Sequence, residues 1–263
     1  MTAIVLIAIT LGVLFYLPPS VFCLLFGLVG LAASWEWTSL MGLKRRPTRL
    51  LYVVLMAFVF FNALFIPIPW ILFLGCVWWI FSVGLIIAYP KGSQCWSKGI
   101  FWRGIMGILV LLPCWVALNF IRNQSDGIFG LIFLFILIWG ADSTAYFVGR
   151  KWGKHKLAAL VSPGKSIQGL MGALLFALIA ALIVLAMTHT ISSEWLWVIL
   201  LSLVTVLFSV VGDLFESMLK RCVGIKDSGN LLPGHGGLLD RIDSLTAAAP
   251  LFAFGALLLG MYL

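Results

Sequence analysis

Long apolar runs, separated by short segments rich in glycine, proline and charge, occupy nearly the whole chain. A helix needs about 20 apolar residues to cross a hydrocarbon layer of about 30 Å. Dividing the sequence at its proline, glycine and charge clusters leaves nine such runs. The predicted spans are residues 2–18, 20–41, 50–67, 69–89, 104–121, 127–149, 168–189, 195–220 and 244–262. The pattern therefore predicts an all-α, polytopic transmembrane protein of about nine spans.

Composition agrees with this class. Of the 263 residues, 63% are hydrophobic and only 10% are charged, whereas about a quarter of the residues of soluble domains are charged. In a membrane protein, the positions of the basic residues behind the net charge of +8 indicate how the spans are oriented. We expect no nucleic-acid partner. Without metal-ligand spacing, the cysteines are expected to be buried apolar side chains that form neither disulfides nor a zinc site. They are Cys23, Cys76, Cys95, Cys114 and Cys222.

The basic residues predict the orientation of the spans. Every lysine and arginine except Arg122 follows span 2, 4, 6 or 8, which places these residues on one side of the membrane. Loops rich in lysine and arginine remain in the cytoplasm. We therefore expect a cytoplasmic N-terminus and a C-terminus outside.

The acidic residues divide the chain into two unlike parts. Glu36 is the only acid in predicted spans 1–5, and all the others lie after residue 121. Because an ionisable group inside a membrane is costly, such a group is expected to serve function. We interpret residues 1–121 as a transmembrane scaffold and residues 122–263 as the catalytic transmembrane region.

Polar residues line one helical face at the end of span 8. Asp213, Glu216, Ser217 and Lys220 are spaced at i, i+3, i+4 and i+7, so they share one side of a helix. A buried ion-pair network that fixes helix packing would explain this stripe, and so would a metal or phosphate site at the cytoplasmic end. We favour the site.

Residues 224–237, here called the glycine loop, combine glycine with charge and end in PGHGG. Such a backbone can approach a ligand closely and direct N–H groups at phosphate oxygens. A plain turn would explain the Pro-Gly pair but not Lys226, Asp227 or His235. We interpret His235 as a supporting phosphate or loop-ordering residue.

Further carboxylates lie at the ends of other spans. Asp240, Arg241 and Asp243 precede span 9, where Asp243 could equally cap a helix, whereas Asp240 is expected to face Asp213. Asp142, near the end of span 6, would be costly unpaired and is assigned to the site rather than to a structural pair with lysine. Carboxylates that converge with phosphate form the oxygen-ligand set that Mg²⁺ prefers.

Cations for phosphate are predicted at the start of span 7. Ser162, Lys165 and Ser166 lie there, close to free N–H groups and the positive end of a helix dipole. The spacing is not that of a Walker glycine loop. Carboxylates for a metal beside cations for several phosphates indicate phosphoryl or nucleotidyl transfer.

The whole of residues 217–243, SMLKRCVGIKDSGNLLPGHGGLLDRID, resembles the signature of the phosphatidate cytidylyltransferases, or CDP-diacylglycerol synthases. The segments WGADSTAYFVGRKWGKHKL and VSPGKSIQG resemble two further blocks of that family. The likeness is strong in the C-terminal half and rests only on hydropathy and Trp-Glu-Trp at residues 35–37 in the N-terminal half. Many family members have Glu where this chain has Gln168, which puts a metal role at that position in doubt.

The resemblance implies a nucleotidyltransferase that uses CTP and phosphatidate to make CDP-diacylglycerol and pyrophosphate in phospholipid biosynthesis. It also implies a requirement for Mg²⁺, a link to a second, monovalent cation such as K⁺, and a homodimer in the bacterial inner membrane with its active site facing the cytoplasm. By position, the catalytic residues are Asp213, Asp240, Lys220, Lys226 and Arg241. The substrate-binding residues are Tyr146, Lys165, Ser166, Ser217, Arg221, Asp227, His235, Gly236 and Gly237. The metal-binding residues are Asp142, Asp213, Asp240 and Asp243.

Two other functional classes fit part of the pattern. Another CTP-dependent membrane lipid kinase would transfer the γ-phosphate instead and release CDP. An anion or phosphate transporter would place a binding site inside the membrane, but transporters commonly show inverted repeats and broken helices in both halves. Here the predicted site residues lie in one half of the chain and on one face.

Overall fold

The structure is a computed structural model that describes residues 10–93, 99–188, 194–229, 231 and 236–260. Within these ranges, eight helices are long and apolar enough to cross a membrane. They are α1 (Pro19–Leu40), α2 (Arg46–Ala63), α3 (Ile68–Ala88), α4 (Ile100–Arg122), α5 (Gly127–Trp152), α6 (Ile167–Met187), α7 (Trp195–Val223) and α8 (Leu239–Leu258). Residues 10–16 are also helical, while the start of the first predicted span lies outside the described residues.

Large apolar side chains remain exposed along the helices. On α2, Leu51, Phe58 and Phe61 are each at least 60% exposed. Soluble monomers rarely expose extensive apolar surface, whereas the acyl chains of a bilayer cover it without cost. The prediction of an all-α, polytopic membrane protein is confirmed.

A short β-hairpin, which the sequence pattern did not predict, joins α5 to α6. Strands β1 (Lys156–Ala158) and β2 (Ser162–Ser166) pair antiparallel. Strand β2 runs directly into α6, where the Ser166 hydroxyl accepts a hydrogen bond from the Gly169 N–H at 3.1 Å. This N-cap satisfies one of the helix's free donors and places Lys165 immediately before α6.

Helix α8 begins at Leu239, so the predicted start at residue 244 is wrong. Asp240 and Asp243, which we placed at the opening of the span, lie within the helix, and Asp240 is in its first turn. A carboxylate there complements the positive end of the helix dipole. The early start fixes Asp240 and Asp243 on a rigid element.

Helices from both parts of the chain pack closely around α8. A Cβ atom added to Gly75 of α3 would lie 2.6 Å from the Pro113 Cβ of α4 and 3.4 Å from the Pro250 Cβ of α8. Small residues let membrane helices approach in this way. Because Pro250 has no N–H, it frees the carbonyl of Thr246, four residues earlier. The Trp79 Nε1 of α3 donates to that oxygen at 3.1 Å.

The cysteines behave as small buried side chains where the structure describes them. Cys76 and Cys114 are buried, and Cys23 and Cys222 are partly buried. Cys95 lies outside the described residues.

Candidate functional site

The close approach of α7 and α8 brings carboxylates from both helices together. A Cβ atom added to Gly212 of α7 would overlap the Asp243 carbonyl oxygen and lie 3.0 Å from the Ala247 Cβ. Only glycine permits this contact. As a result, the carboxylate of Asp213, the next residue on α7, is close enough to that of Asp243 on α8 to repel it.

One cluster of polar side chains, here called the Asp213 centre, joins the hairpin to α5 and α7. Lys165, at the end of β2, places its Nζ 2.7 Å from Asp213 Oδ2. The Ser217 hydroxyl donates to Asp213 Oδ1 at 3.2 Å, one helical turn along α7. Asp142 of α5 interacts electrostatically with both Lys165 and Asp213. The predicted convergence of Asp142, Lys165, Asp213 and Ser217 is therefore observed.

A second cluster, here called the Asp240 centre, joins α7 to α8. Lys220 Nζ lies 2.8 Å from Asp240 Oδ1 and 3.3 Å from Glu216 Oε1. Glu216 is only 3% exposed, and neither of its carboxylate oxygens accepts a hydrogen bond from the residues that the structure describes. A buried carboxylate without hydrogen bonds is costly, so the negative charge of Glu216 depends on the neighbouring Lys220 ammonium group for stabilisation.

Asp240 also binds the glycine loop at two points. Its Oδ2 atom accepts hydrogen bonds from the N–H of Gly237 at 2.9 Å and from the N–H of Ser228 at 3.1 Å. Gly236 has φ +81°, and a Cβ atom there would lie 3.3 Å from Asp240 Oδ2. That conformation favours glycine, so the loop can turn tightly beside the carboxylate.

Glu36 of α1 is a part of this region that sequence analysis missed, because we assigned it to the scaffold. It is 1% exposed, and its Oε2 atom accepts a hydrogen bond from the Leu239 N–H at 2.8 Å. The feature of the sequence that could have identified Glu36 is that it is a single acid inside a predicted apolar span. Such an acid is expected to have a partner in the protein interior.

An open cavity of about 820 Å³ is lined by residues of both centres, and its volume is in the usual range for small-molecule sites. Its apolar wall includes Phe26, Phe135, Ile138, Trp139, Leu157 and Leu170. Its polar end includes Asp142, Lys165, Asp213, Asp240, Arg241 and Asp243. The cavity therefore offers charged groups at one end and a surface suited to hydrocarbon elsewhere.

Two other predicted residues, Tyr146 and Ser166, border the cavity without joining either centre. Tyr146 lines it, and its hydroxyl oxygen accepts a hydrogen bond from Arg150 Nη1 at 3.2 Å. Ser166 also lines it while its hydroxyl caps α6. Gly236 and Gly237 lie at the Asp240 carboxylate.

The remaining predicted residues that the structure describes do not line the cavity. Arg221 donates from Nε to the Val161 carbonyl oxygen at 3.4 Å, which links α7 to the hairpin. Lys226 and Asp227 are exposed on the glycine loop. His235 lies outside the described residues.

Gln168 lies in the first turn of α6 and does not line the cavity. Its Oε1 atom accepts hydrogen bonds from the N–H groups of Lys154 at 3.1 Å and His155 at 3.2 Å. Position 168, where many family members have Glu, therefore carries a side chain that binds backbone N–H groups in this chain.

Comparison with known proteins identifies the family. The profile of the cytidylyltransferase family matches residues 1–259. The chain belongs to the cytidylyltransferase family. A phosphatidate cytidylyltransferase of Haemophilus influenzae is 38% identical over 97% of this chain and 96% of its own length. One of Pseudomonas aeruginosa is 42% identical over 96% of this chain and 93% of its own length. The resemblance in the sequence is thus confirmed.

The side chains of this cytidylyltransferase do not form a ready-made metal site within the described ranges. No three Asp, Glu, His or Cys side chains there are grouped as ligands. Lysine ammonium groups instead pair with Asp213 and Asp240. Carboxylates nevertheless outnumber cations around the cavity. The carboxylates are Asp142, Asp213, Glu216, Asp240 and Asp243, and the cations are Lys165, Lys220 and Arg241. This excess of oxygen ligands and negative charge fits a hard divalent cation.

Proposed function

We propose that the chain transfers the cytidylyl group of CTP to phosphatidate, giving CDP-diacylglycerol and pyrophosphate for phospholipid biosynthesis. The observation that carries this proposal is a cavity with two lysine–carboxylate centres at its polar end and an apolar wall beside them. The polar end suits phosphates, and the apolar wall suits a lipid. Relatives that carry the same activity in their names align with nearly the whole chain.

The reaction requires positioning and charge neutralisation rather than a strong base. An oxygen of the phosphatidate phosphate, already ionised, attacks the α-phosphorus of CTP. The bond from that phosphorus to the bridging oxygen then breaks, and pyrophosphate leaves with the electron pair. Lys165, Lys220 and Arg241 lie at the polar end of the cavity or in its Asp240 centre and neutralise the developing charge. Arg221 and Lys226 do not line the cavity, and we assign them to the same anionic substrates as further positive charges.

Uncharged groups orient the substrates. The Ser217 hydroxyl, the Tyr146 hydroxyl and the backbone N–H groups of the glycine loop are the donors that we assign to phosphate oxygens. Ser166 and the two adjacent glycines, Gly236 and Gly237, set the backbone around them.

We assign Mg²⁺ to Asp142, Asp213, Asp240 and Asp243, with K⁺ as a second cation. Both substrates are anions, so an excess of carboxylates would repel them unless a cation entered with them. When bound, a divalent cation supplies Lewis-acid stabilisation of phosphoryl oxygens. The four carboxylates come from α5, α7 and α8, and α7 and α8 are packed in direct contact at Gly212.

We further propose a homodimer in the bacterial inner membrane, with the site on the cytoplasmic face, where CTP is present. The distribution of basic residues supports this orientation, because all but Arg122 fall on one predicted side. Bacterial relatives support the inner-membrane location.

The test is an assay of the purified chain in detergent with CTP, phosphatidate and Mg²⁺. Mass spectrometry is expected to detect CDP-diacylglycerol, and pyrophosphate is expected in equal amount. CDP in place of pyrophosphate would identify a lipid kinase instead. Transport of phosphate compounds into proteoliposomes without CTP consumption would identify a transporter.

Asp240→Asn tests the assigned role of that carboxylate. We expect turnover to fall at least about 100-fold, because the change weakens the bond to Lys220 and removes a metal ligand. Asp126→Asn is the matched control, since Asp126 is exposed and precedes α5. Near-normal turnover of Asp240→Asn with Mg²⁺ would refute the assignment.

A further inference from the structure

We propose that Glu36 is a positioning residue for the glycine loop and thereby sets the CTP site from the part of the chain predicted as scaffold. This inference rests on the proposed function. It concerns a carboxylate on α1 that contacts neither Lys165 nor Lys220 among the described ion pairs. Its partners are instead backbone and hydroxyl groups of the loop and of α8.

Three donors converge on the Glu36 carboxylate. Its Oε2 atom accepts from the Leu239 N–H at 2.8 Å and from the Ser228 hydroxyl at 3.4 Å. Its Oε1 atom accepts from the Leu231 N–H at 3.4 Å. These donors belong to both ends and the middle of the segment from Ser228 to Leu239. One side chain of α1 therefore holds the segment at separate points.

Two loop glycines make room for the same carboxylate. A Cβ atom added to Gly229 would overlap Glu36 Oε1, and one added to Gly237 would lie 2.7 Å from Glu36 Oε2. We expected glycines here so that the backbone could approach a ligand. At these two positions the group that the backbone approaches is Glu36.

Arg49 is a cation near Glu36, but its guanidinium group donates hydrogen bonds to other residues. Arg49 is close enough for electrostatic attraction, but its Nε donates to the Thr38 hydroxyl at 2.6 Å and its Nη2 donates to the Trp35 carbonyl oxygen at 2.9 Å. Because a buried carboxylate is costly without hydrogen bonds, Glu36 depends on the loop. The loop depends equally on Glu36.

Glu36 and Asp240 both contact Ser228 and Gly237 of the loop. Ser228 donates its hydroxyl to Glu36 and its N–H to Asp240. Gly237 lies against the Glu36 carboxylate and donates its N–H to Asp240. A shift of the loop would therefore move the donors of Asp240, the residue bound to Lys220. Loss of the Glu36 contacts is expected to weaken CTP binding before it unfolds the protein.

The test compares Glu36→Gln with wild type and with Ser34→Ala. Glutamine keeps the shape but points an NH₂ group at one of the N–H or O–H donors. Ser34 is a matched control because it is also buried on α1 and donates only within its helix, to the Leu31 carbonyl oxygen at 2.7 Å. The measurements are kcat, KM for CTP, thermal unfolding in detergent, and the rate of trypsin cleavage after the exposed Lys226.

For Glu36→Gln we expect KM for CTP to rise about tenfold, the equivalent of one hydrogen bond to a charged group, with faster cleavage after Lys226 and an unchanged unfolding temperature. Ser34→Ala should match wild type in every measurement. A purely structural role would lower the unfolding temperature and the active fraction while leaving KM unchanged. That result, or wild-type KM and cleavage, would overturn the proposal.

A milder variant covers the case in which Glu36→Gln does not fold. Ser228→Ala removes one donor to Glu36 and keeps the Ser228 N–H for Asp240. It should raise KM for CTP and the cleavage rate in the same direction by a smaller factor, and wild-type values for both would overturn the proposal. Cleavage after Lys226 requires no catalysis. If wild type made no CDP-lipid, the proposed function would fail, while the cleavage rates would still decide whether Glu36 holds the loop.

Discussion

Replacing Lys220 with methionine removes the positive charge between two poorly exposed carboxylates. Lys220 Nζ lies 2.8 Å from Asp240 Oδ1 and 3.3 Å from Glu216 Oε1. At an effective dielectric constant of about 20, each contact amounts to roughly 5–6 kcal/mol of attraction before desolvation. Desolvation offsets much of this, and breaking a buried pair costs about 3–5 kcal/mol net. The upper half of that range applies, because neither Glu216 oxygen accepts a hydrogen bond from the described residues and the Lys220 ammonium group lies 3.3 Å from Oε1.

The free energy of unfolding in mixed micelles, followed by tryptophan fluorescence, measures this loss. Lys44→Met is the control for removing one positive charge, since Lys44 is exposed. The double variant Lys220→Met/Glu216→Gln should regain stability, because the neutral amide removes the unpaired buried charge. A loss below about 1 kcal/mol for Lys220→Met, or a double variant no more stable than Lys220→Met alone, would refute the reasoning.

Two further predictions concern the hairpin and the helix core. Lys165→Met should lower kcat about 100-fold or more, because it removes the ammonium group beside Asp213; steady-state kinetics check this, and a change below about threefold would contradict it. Trp79→Phe should lower the free energy of unfolding by about 1–3 kcal/mol, because it leaves the Thr246 carbonyl oxygen without its donor. An unchanged denaturation midpoint in micelles would contradict that assignment.

Hydropathy was sufficient to predict the membrane-spanning helices. Runs such as Ile68–Ala88 are almost wholly apolar and end at proline or charge, so length and composition alone define them. The error at α8 has a physical cause. Residues such as Asp240 and Arg241 resemble a loop in composition, although acids are favourable in the first turn of a helix.

Local spacing predicted contacts within α7 but not the pairing between elements. The separation of Asp213 and Ser217 by one helical turn is visible in the sequence, and their hydrogen bond is observed. The choice of Lys165 for Asp213 and Lys220 for Asp240 depends on how the hairpin and α8 pack against α7. No periodicity within one element encodes that choice.

The hairpin and Glu36 were missed for different reasons. Strands β1 and β2 are too short to show an alternating pattern. Glu36 lies far along the chain from Leu239, and its role depends on a tertiary contact. The division at residue 121 stays a prediction, although Glu36 and Trp79 bind residues on the other side of it.

The two lysines nearest the proposed reaction are already engaged by carboxylates, at 2.7 Å for Lys165 and 2.8 Å for Lys220. A phosphate that takes either ammonium group must displace a carboxylate, which then needs a new positive partner. A cation that takes the carboxylate releases the ammonium group in the same way. In the proposed mechanism, nucleotide and metal are therefore thermodynamically linked, and each raises the affinity of the other by the same factor. Because an ion pair must be broken when either ligand binds, the ion pairs lower the affinity of the site for each ligand alone.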